Sequence, residues 1–104
     1  MRAAVLTGFG GPENIRLGEL PDPVPGPGQA LIRVRAAALN HLDLHIRRGN
    51  PAYKIALPHV LGGDMAGELI GGDLGGHPLG ERVLAAPGVS CWDCPPCRSG
   101  RDNL

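Results

Sequence analysis

The chain has 104 residues, of which 17 are Gly and 11 are Pro, a share that taken alone suggests disorder. Ten basic residues balance ten acidic ones, and about a quarter of the positions are Leu, Ile, Val or Phe. Such a chain is not held open by self-repulsion and can bury a modest core, as one small domain of short elements joined by many turns. A single lysine, Lys54, and zero net charge leave no electrostatic footprint for nucleic acid or an anionic membrane. No apolar stretch reaches bilayer-spanning length and no signal-peptide core opens the chain, so it reads as cytoplasmic.

Residues 2–7 are short and apolar and are stopped by Gly8, Gly10, Gly11 and Pro12, which predicts a first strand ending in a glycine turn. Ile15, Leu17 and Leu20 interleave with Arg16 and Glu19, predicting a second strand with one solvated face. Pro21, Pro23, Pro25 and Pro27, with Gly26 and Gly28, forbid helix and central strand and mark an exposed connector. From Gln29 to Asn40, Leu31, Arg33 and Arg35 alternate with Ala30, Ile32, Val34 and Ala36, the best strand pattern in the chain.

The period then changes. Leu42 and Ile46 are four apart, Asp43 and Arg47 are spaced to pair, and Gly49 is a natural stop, so one or two helical turns are expected over 41–48. Asn40 is the expected N-cap. Met65 to Ile70 predicts a buried strand in which Gly67 allows close packing, residues 71–80 are turn material, and Arg82 to Ala86 returns as a short strand. The expected fold is mainly β with one short helix, a barrel rather than a sandwich.

Cys91-Trp92-Asp93-Cys94-Pro95-Pro96-Cys97 is C-x2-C-x2-C. An odd number of cysteines packed into seven positions is no disulfide framework. It is a spacing at which three thiolates converge on one ion, and zinc is the natural occupant. A closed site wants a fourth ligand, and Asp93, Asp102, His77, the terminal carboxylate of Leu104 and water are the candidates. Two plainer readings stand beside metal. Cys94 and Cys97 make a C-x2-C redox pair, although the βαβ setting of such motifs is missing, or the three thiols are small core residues in a loop ill suited to a core.

The order of elements and the motifs Gly11-Pro12-Glu13, Pro25-Gly26-Pro27-Gly28, Ala38-Leu39-Asn40-His41-Leu42-Asp43-Leu44-His45, Gly62-Gly63-Asp64-Met65-Ala66-Gly67 and Gly80-Glu81-Arg82-Val83 resemble the N-terminal GroES-like domain of medium-chain dehydrogenases/reductases. That family includes the zinc-type alcohol dehydrogenases and the quinone reductases. The resemblance covers residues 1–104 and implies a GroES-like, partly open barrel with a cysteine-rich zinc-binding lobe at the C-terminal end, of which residues 89–104 are part. In the family the lobe runs C-x2-C-x2-C-x7-C, so structural-zinc ligands are implied at Cys91, Cys94 and Cys97. The fourth cysteine would fall immediately after Leu104, which implies a fragment.

The zinc-dependent members carry a catalytic cysteine where Asn40 stands and Gly-His-Glu where Gly62-Gly63-Asp64 stands, so the resemblance implies no catalytic zinc here. Leu42 occupies the hydroxyl position of the proton relay, His45 matches the relay histidine, and Asp43 matches a carboxylate that supports the metal ligands. The pattern is similar to the zinc-independent, quinone reductase-like branch, which implies Asn40 and Asp43 lining a cleft and His45 donating or relaying a proton. The same residues have structural readings: Asn40 as a cap, Asp43 paired with Arg47, His45 as a solvated helix residue. His41 and His45, with Asp64 or His59, form a rival metal constellation.

No G-x-G-x-x-G between strand and helix occurs, since Gly8-Phe9-Gly10 and Gly26-Pro27-Gly28 lack the third glycine. The resemblance therefore implies NAD(H) or NADP(H) bound on a Rossmann domain absent from this sequence, with the 104 residues inactive by themselves. It further implies a small carbonyl, alcohol or activated-alkene substrate and a homo-oligomer at full length. The alternative is a non-catalytic GroES-like structural or binding module.

Overall fold

The structure, a computed structural model, describes residues 1–101. The strands are β1 (Arg2–Leu6), β2 (Ile15–Glu19), β3 (Ala30–Ala38), β4 (His59–Val60), β5 (Asp64–Gly72) and β6 (Arg82–Ala85). Two helical segments, α1 (His41–Arg47) and the single turn α2 (Pro95–Arg98), complete the described elements with a 3-10 turn at Pro12–Asn14. The strands form two open three-stranded antiparallel sheets, ordered β2-β1-β4 and β3-β5-β6.

In the first sheet the glycine turn reverses the chain so that Leu6 faces Ile15 and Arg2 faces Glu19. The Thr7 N–H closes the turn on the Asn14 carbonyl at 2.9 Å. β4 has two residues, too few to show a period, and exists because β1 offers it a free edge at Val5 and Leu6. The proline connector forms no regular element, as its composition requires.

In the second sheet β3 departs from the strict alternation of its sequence. Its pairing with β5 shifts between Leu31 and Ile32 and again between Val34 and Ala36, the mark of bulges that re-aim side chains. Gly67 sits inside that pairing. A Cβ on it would lie 2.3 Å from the Arg33 carbonyl oxygen and 2.6 Å from Ile32 Cγ2, so only hydrogen fits.

α1 forms where the spacing predicts. Asn40 is its extended N-cap, and Gly49, at φ +80°, ends it while its N–H donates to the Ile46 carbonyl at 2.9 Å. The expected Asp43–Arg47 pair does not form. Arg47 Nη1 instead donates to the Gly10 carbonyl at 2.6 Å, and the Gly10 N–H donates back to the Arg47 carbonyl at 2.8 Å, tying α1 to the glycine turn after β1. Reach explains the exchange: the long guanidinium meets an exposed carbonyl, whereas Asp43 is held inward by backbone donors.

The core is thin. Val5, Leu6 and Leu69 are the buried apolar residues among those described, while Leu84 on β6 is 84% exposed. The radius of gyration is 15.5 Å, against about 13 Å for a compact domain of this length.

Candidate functional site

The first site is built at the N-terminal end of α1. Asp43, in the first helical turn, is buried. One carboxylate oxygen accepts the Asn40 N–H at 2.7 Å and the other accepts the Gly62 N–H at 2.7 Å. Asp43 thus joins the start of α1 to the Gly62-Gly63-Asp64 segment that leads into β5. Across this joint the Asn40 side-chain amide donates to Asp64 Oδ2 at 2.6 Å. A charge-assisted bond of that length fixes the amide plane and leaves its second N–H to meet a ligand.

Leu39, Asn40, His41 and Leu44 line a cleft of about 320 Å³. Asp64 also borders a second hollow of about 350 Å³ on the β3-β5-β6 face, with Ala36, Ala66, Leu84 and Ala85. Of the sequence-predicted residues, Asn40 and Asp64 are therefore brought together and Asp43 is placed directly behind them. His45 is exposed and lines neither cavity. His41, one turn back at the i−4 position, is the histidine that shares the cleft with Asn40.

Half of this arrangement was legible. Asn40 and Asp43 have capping-box spacing, which anticipates the carboxylate reaching back to the cap N–H. The bond to Gly62 joins residues 19 apart and leaves no local signal.

The second site is the cysteine loop. Cys94 and Cys97 sulfurs are 3.3 Å apart, Cys91 and Cys97 sulfurs 3.7 Å, and all three lie within 4.8 Å of one another. Tetrahedral zinc with bonds of about 2.3 Å requires sulfurs about 3.8 Å apart, so this donor set fits zinc. Trp92 makes the convergence possible by taking φ +59°, and the Cys94 N–H then points at Cys91 Sγ at 3.4 Å. The backbone N–H groups of Cys94 and Asp93 hold the Cys91 thiol down to about 6. Cys94 is pushed up on balance: the Cys97 N–H lowers it, and the neighbouring Cys97 and Cys91 thiols outweigh that by favouring its protonated form.

Of the candidates for a fourth ligand, the described side chains Asp93 and His77 do not join the cluster. His77 Nδ1 lies 3.0 Å from Glu81 Oε2, an i, i+4 contact within the turn before β6, and Asp93 pairs with Arg98. Asp102 and Leu104 lie outside the described residues. Among the described residues the three cysteines are the one group of three or more His, Cys, Asp or Glu side chains within mutual ligating reach. The rival constellation of His41, His45, His59 and Asp64 is therefore not assembled, because α1 and β5 face each other through Asn40 and Asp64 rather than through imidazoles.

Residues 26–104 match the model of the alcohol dehydrogenase GroES-like domain. The chain belongs to that family. It is 38% identical over 86% of its length to a quinone oxidoreductase of Pongo abelii, covering 28% of that protein. Among solved structures, an NAD-dependent alcohol dehydrogenase aligns over the whole chain at 45% identity and a TM-score of 0.90, with 31% of its own length covered. A cobalt- and zinc-bound thermostable alcohol dehydrogenase from Pyrobaculum aerophilum aligns over 100% of the chain at 36% identity and a TM-score of 0.87, with 32% covered. The GroES-like assignment and the oxidoreductase relationship read from the motifs are thus correct. The chain spans between 22% and 32% of the length of such relatives.

Proposed function

We propose that this chain is the substrate-side domain of an NAD(P)-dependent oxidoreductase that carries a structural zinc on Cys91, Cys94 and Cys97 and no catalytic zinc. The observation that carries this reading is the Asn40–Asp64 hydrogen bond at 2.6 Å. By the motif resemblance, Asn40 stands where zinc-dependent members carry a thiolate, and Gly63, next to Asp64, where they carry an imidazole. An amide N–H pointed at the Asp64 carboxylate, beside the side-chain-free Gly63, with Asp43 already spent on backbone donors, is a poor donor set for a Lewis-acid metal.

The nicotinamide, bound by a further domain, supplies the hydride. This chain's part is to hold and polarise the acceptor. Asn40, its plane set by Asp64, donates its second amide N–H to a carbonyl oxygen in the cleft, and Asp43 keeps the two segments in register. His41 stands beside Asn40, and His45, one helical turn outward and exposed, exchanges protons with water.

Two measurements on the gene product read to its own stop codon test the reading. Elemental analysis should return one zinc per chain; two would restore a catalytic metal, and none would remove the lobe assignment. Asn40→Ala should lower kcat/KM about tenfold or more while the fold persists. Unchanged kinetics would reduce Asn40 to a helix cap.

A further inference from the structure

α1 is seven residues long, too short to hold its own direction, since isolated helices below about 12 residues are marginal in water. Its N-terminal end is held by two bonds that lie close together, from the Gly62 N–H to Asp43 at 2.7 Å and from the Asn40 amide to Asp64 at 2.6 Å. Two neighbouring bonds make a hinge, about which a rod can still swing. The swing is stopped at the other end of the helix, about 10 Å away, by Arg47. Arg47 Nη1 donates to the Gly10 carbonyl at 2.6 Å, and the Gly10 N–H donates back to the Arg47 carbonyl at 2.8 Å. Phe9 lies against the same end: a Cβ on Gly49, two residues past α1, would come within 2.9 Å of Phe9 Cβ. The turn is itself braced to receive the helix. Asn14 Nδ2 lies 3.3 Å from both the Phe9 and the Gly11 carbonyl oxygens, one on each side of Gly10, and the Thr7 N–H closes on the Asn14 carbonyl at 2.9 Å.

We propose that Arg47 is a positioning residue for the cleft: by clasping the turn at Gly10 it stops the swing of α1, and so sets the plane of the Asn40 amide and the places of His41 and Leu44 on the cleft wall. The role of the clasp in turnover rests on the proposed function, in which Asn40 donates to a carbonyl oxygen. Hydrogen bonds weaken steeply when bent, so a helix free to pivot would turn the amide out of line with both Asp64 and an acceptor. A misplacement of about 1 Å at a reacting centre can cost on the order of 100-fold in rate. Arginine suits the task because its long side chain carries a rigid, charged fork of donors, and a charged donor bonds a carbonyl more strongly than a neutral one. The clasp has no counterpart in local sequence signals, since Gly10 and Arg47 are 37 residues apart.

NMR of the gene product read to its own stop codon, with isotopically labelled asparagine, tests this on Asn40 itself. The side-chain amide proton that Asp64 holds is assigned by its loss in Asn40→Asp. Arg47→Met, which keeps the length of the side chain and removes its donors, should speed exchange of that proton with water by about tenfold and move its resonance toward that of free asparagine, while the backbone amides of β1–β6 keep their protection. Arg47→Lys, which still carries a charged donor to the Gly10 carbonyl, should bring the rate back to within about threefold of the parent protein. An Asn40 signal unchanged in Arg47→Met overturns the proposal. So does a change that Arg47→Lys fails to restore, or one shared by the strand amides, which would make Arg47 a general support of the fold. None of these signals depends on turnover: a clasp without effect on Asn40 leaves the proposed function standing, and unchanged kinetics of Asn40→Ala would remove that function and leave the clasp.

Discussion

Asp43 is a buried carboxylate whose two oxygens each accept a backbone N–H, one from Asn40 beside it and one from Gly62, 19 residues further along the chain. Its removal leaves two donors without partners in a buried place, at about 1–3 kcal/mol each. Asp43→Ala should therefore lower the unfolding free energy by about 2–4 kcal/mol in urea titration, and Asp43→Asn, which keeps one acceptor oxygen, by less. Equal midpoints for all three proteins would show that neither bond matters. Glu68 offers a second test. The hydrogen bond from Arg35 holds its carboxyl below the ordinary range, against a smaller opposing effect of burial. A depressed carboxylate contributes stability above its unfolded pKa and loses it as pH falls through the lower folded value. NMR titration should place Glu68 below the other exposed glutamates, and Arg35→Gln should return it toward them. The exposure of the pair makes the stability change small.

Elements are constrained by single atoms at two places. Gly67→Ala would drive a methyl into the Arg33 carbonyl, and backbone cannot move aside as a flexible side chain can. The β3-β5 pairing should weaken by about 1–3 kcal/mol, read as a lower melting temperature and faster amide exchange across both strands. An unchanged melting temperature would mean that the bulge beside it absorbs the methyl. The cysteine lobe is the other place. Among its described residues it has one helical turn and no strand, so on the proposed zinc reading its shape would depend on the ion that the three sulfurs fit. Chelation should abolish amide protection over 91–101 and leave β1–β6 protected. Protection in the lobe that survives chelation would make it self-supporting.

At the scale of the molecule, two open sheets share little interior. Among the described residues, only Val5, Leu6 and Leu69 are buried apolar side chains, whereas Leu17, Leu84, Val24 and Val89 are more than three-quarters exposed. Hydrophobic stabilisation scales with area removed from water, so this surface is a reserve of unrealised stability. Its covering by a longer chain should appear as a higher melting temperature for the full gene product than for residues 1–104, both loaded with zinc. A lower or equal value would mean that the domain gains nothing from its neighbours. No described helix is long and apolar enough to cross a membrane.

The sequence by itself determined what is local. Period two placed β2 and β3, short apolar runs bounded by turn residues placed β1, β5 and β6, a change of period placed α1, Asn40 and Gly49 marked its ends, and C-x2-C-x2-C defined the thiol cluster. Only the tertiary structure decided the partners across distance. Arg47 bonds Gly10 rather than Asp43, Asp43 bonds Gly62, Asn40 bonds Asp64, and His41 takes the place beside Asn40. The physical reason is that periodicity and capping are written within a few residues, whereas a side chain's bond is settled by whichever donor or acceptor the packed backbone brings within about 3 Å.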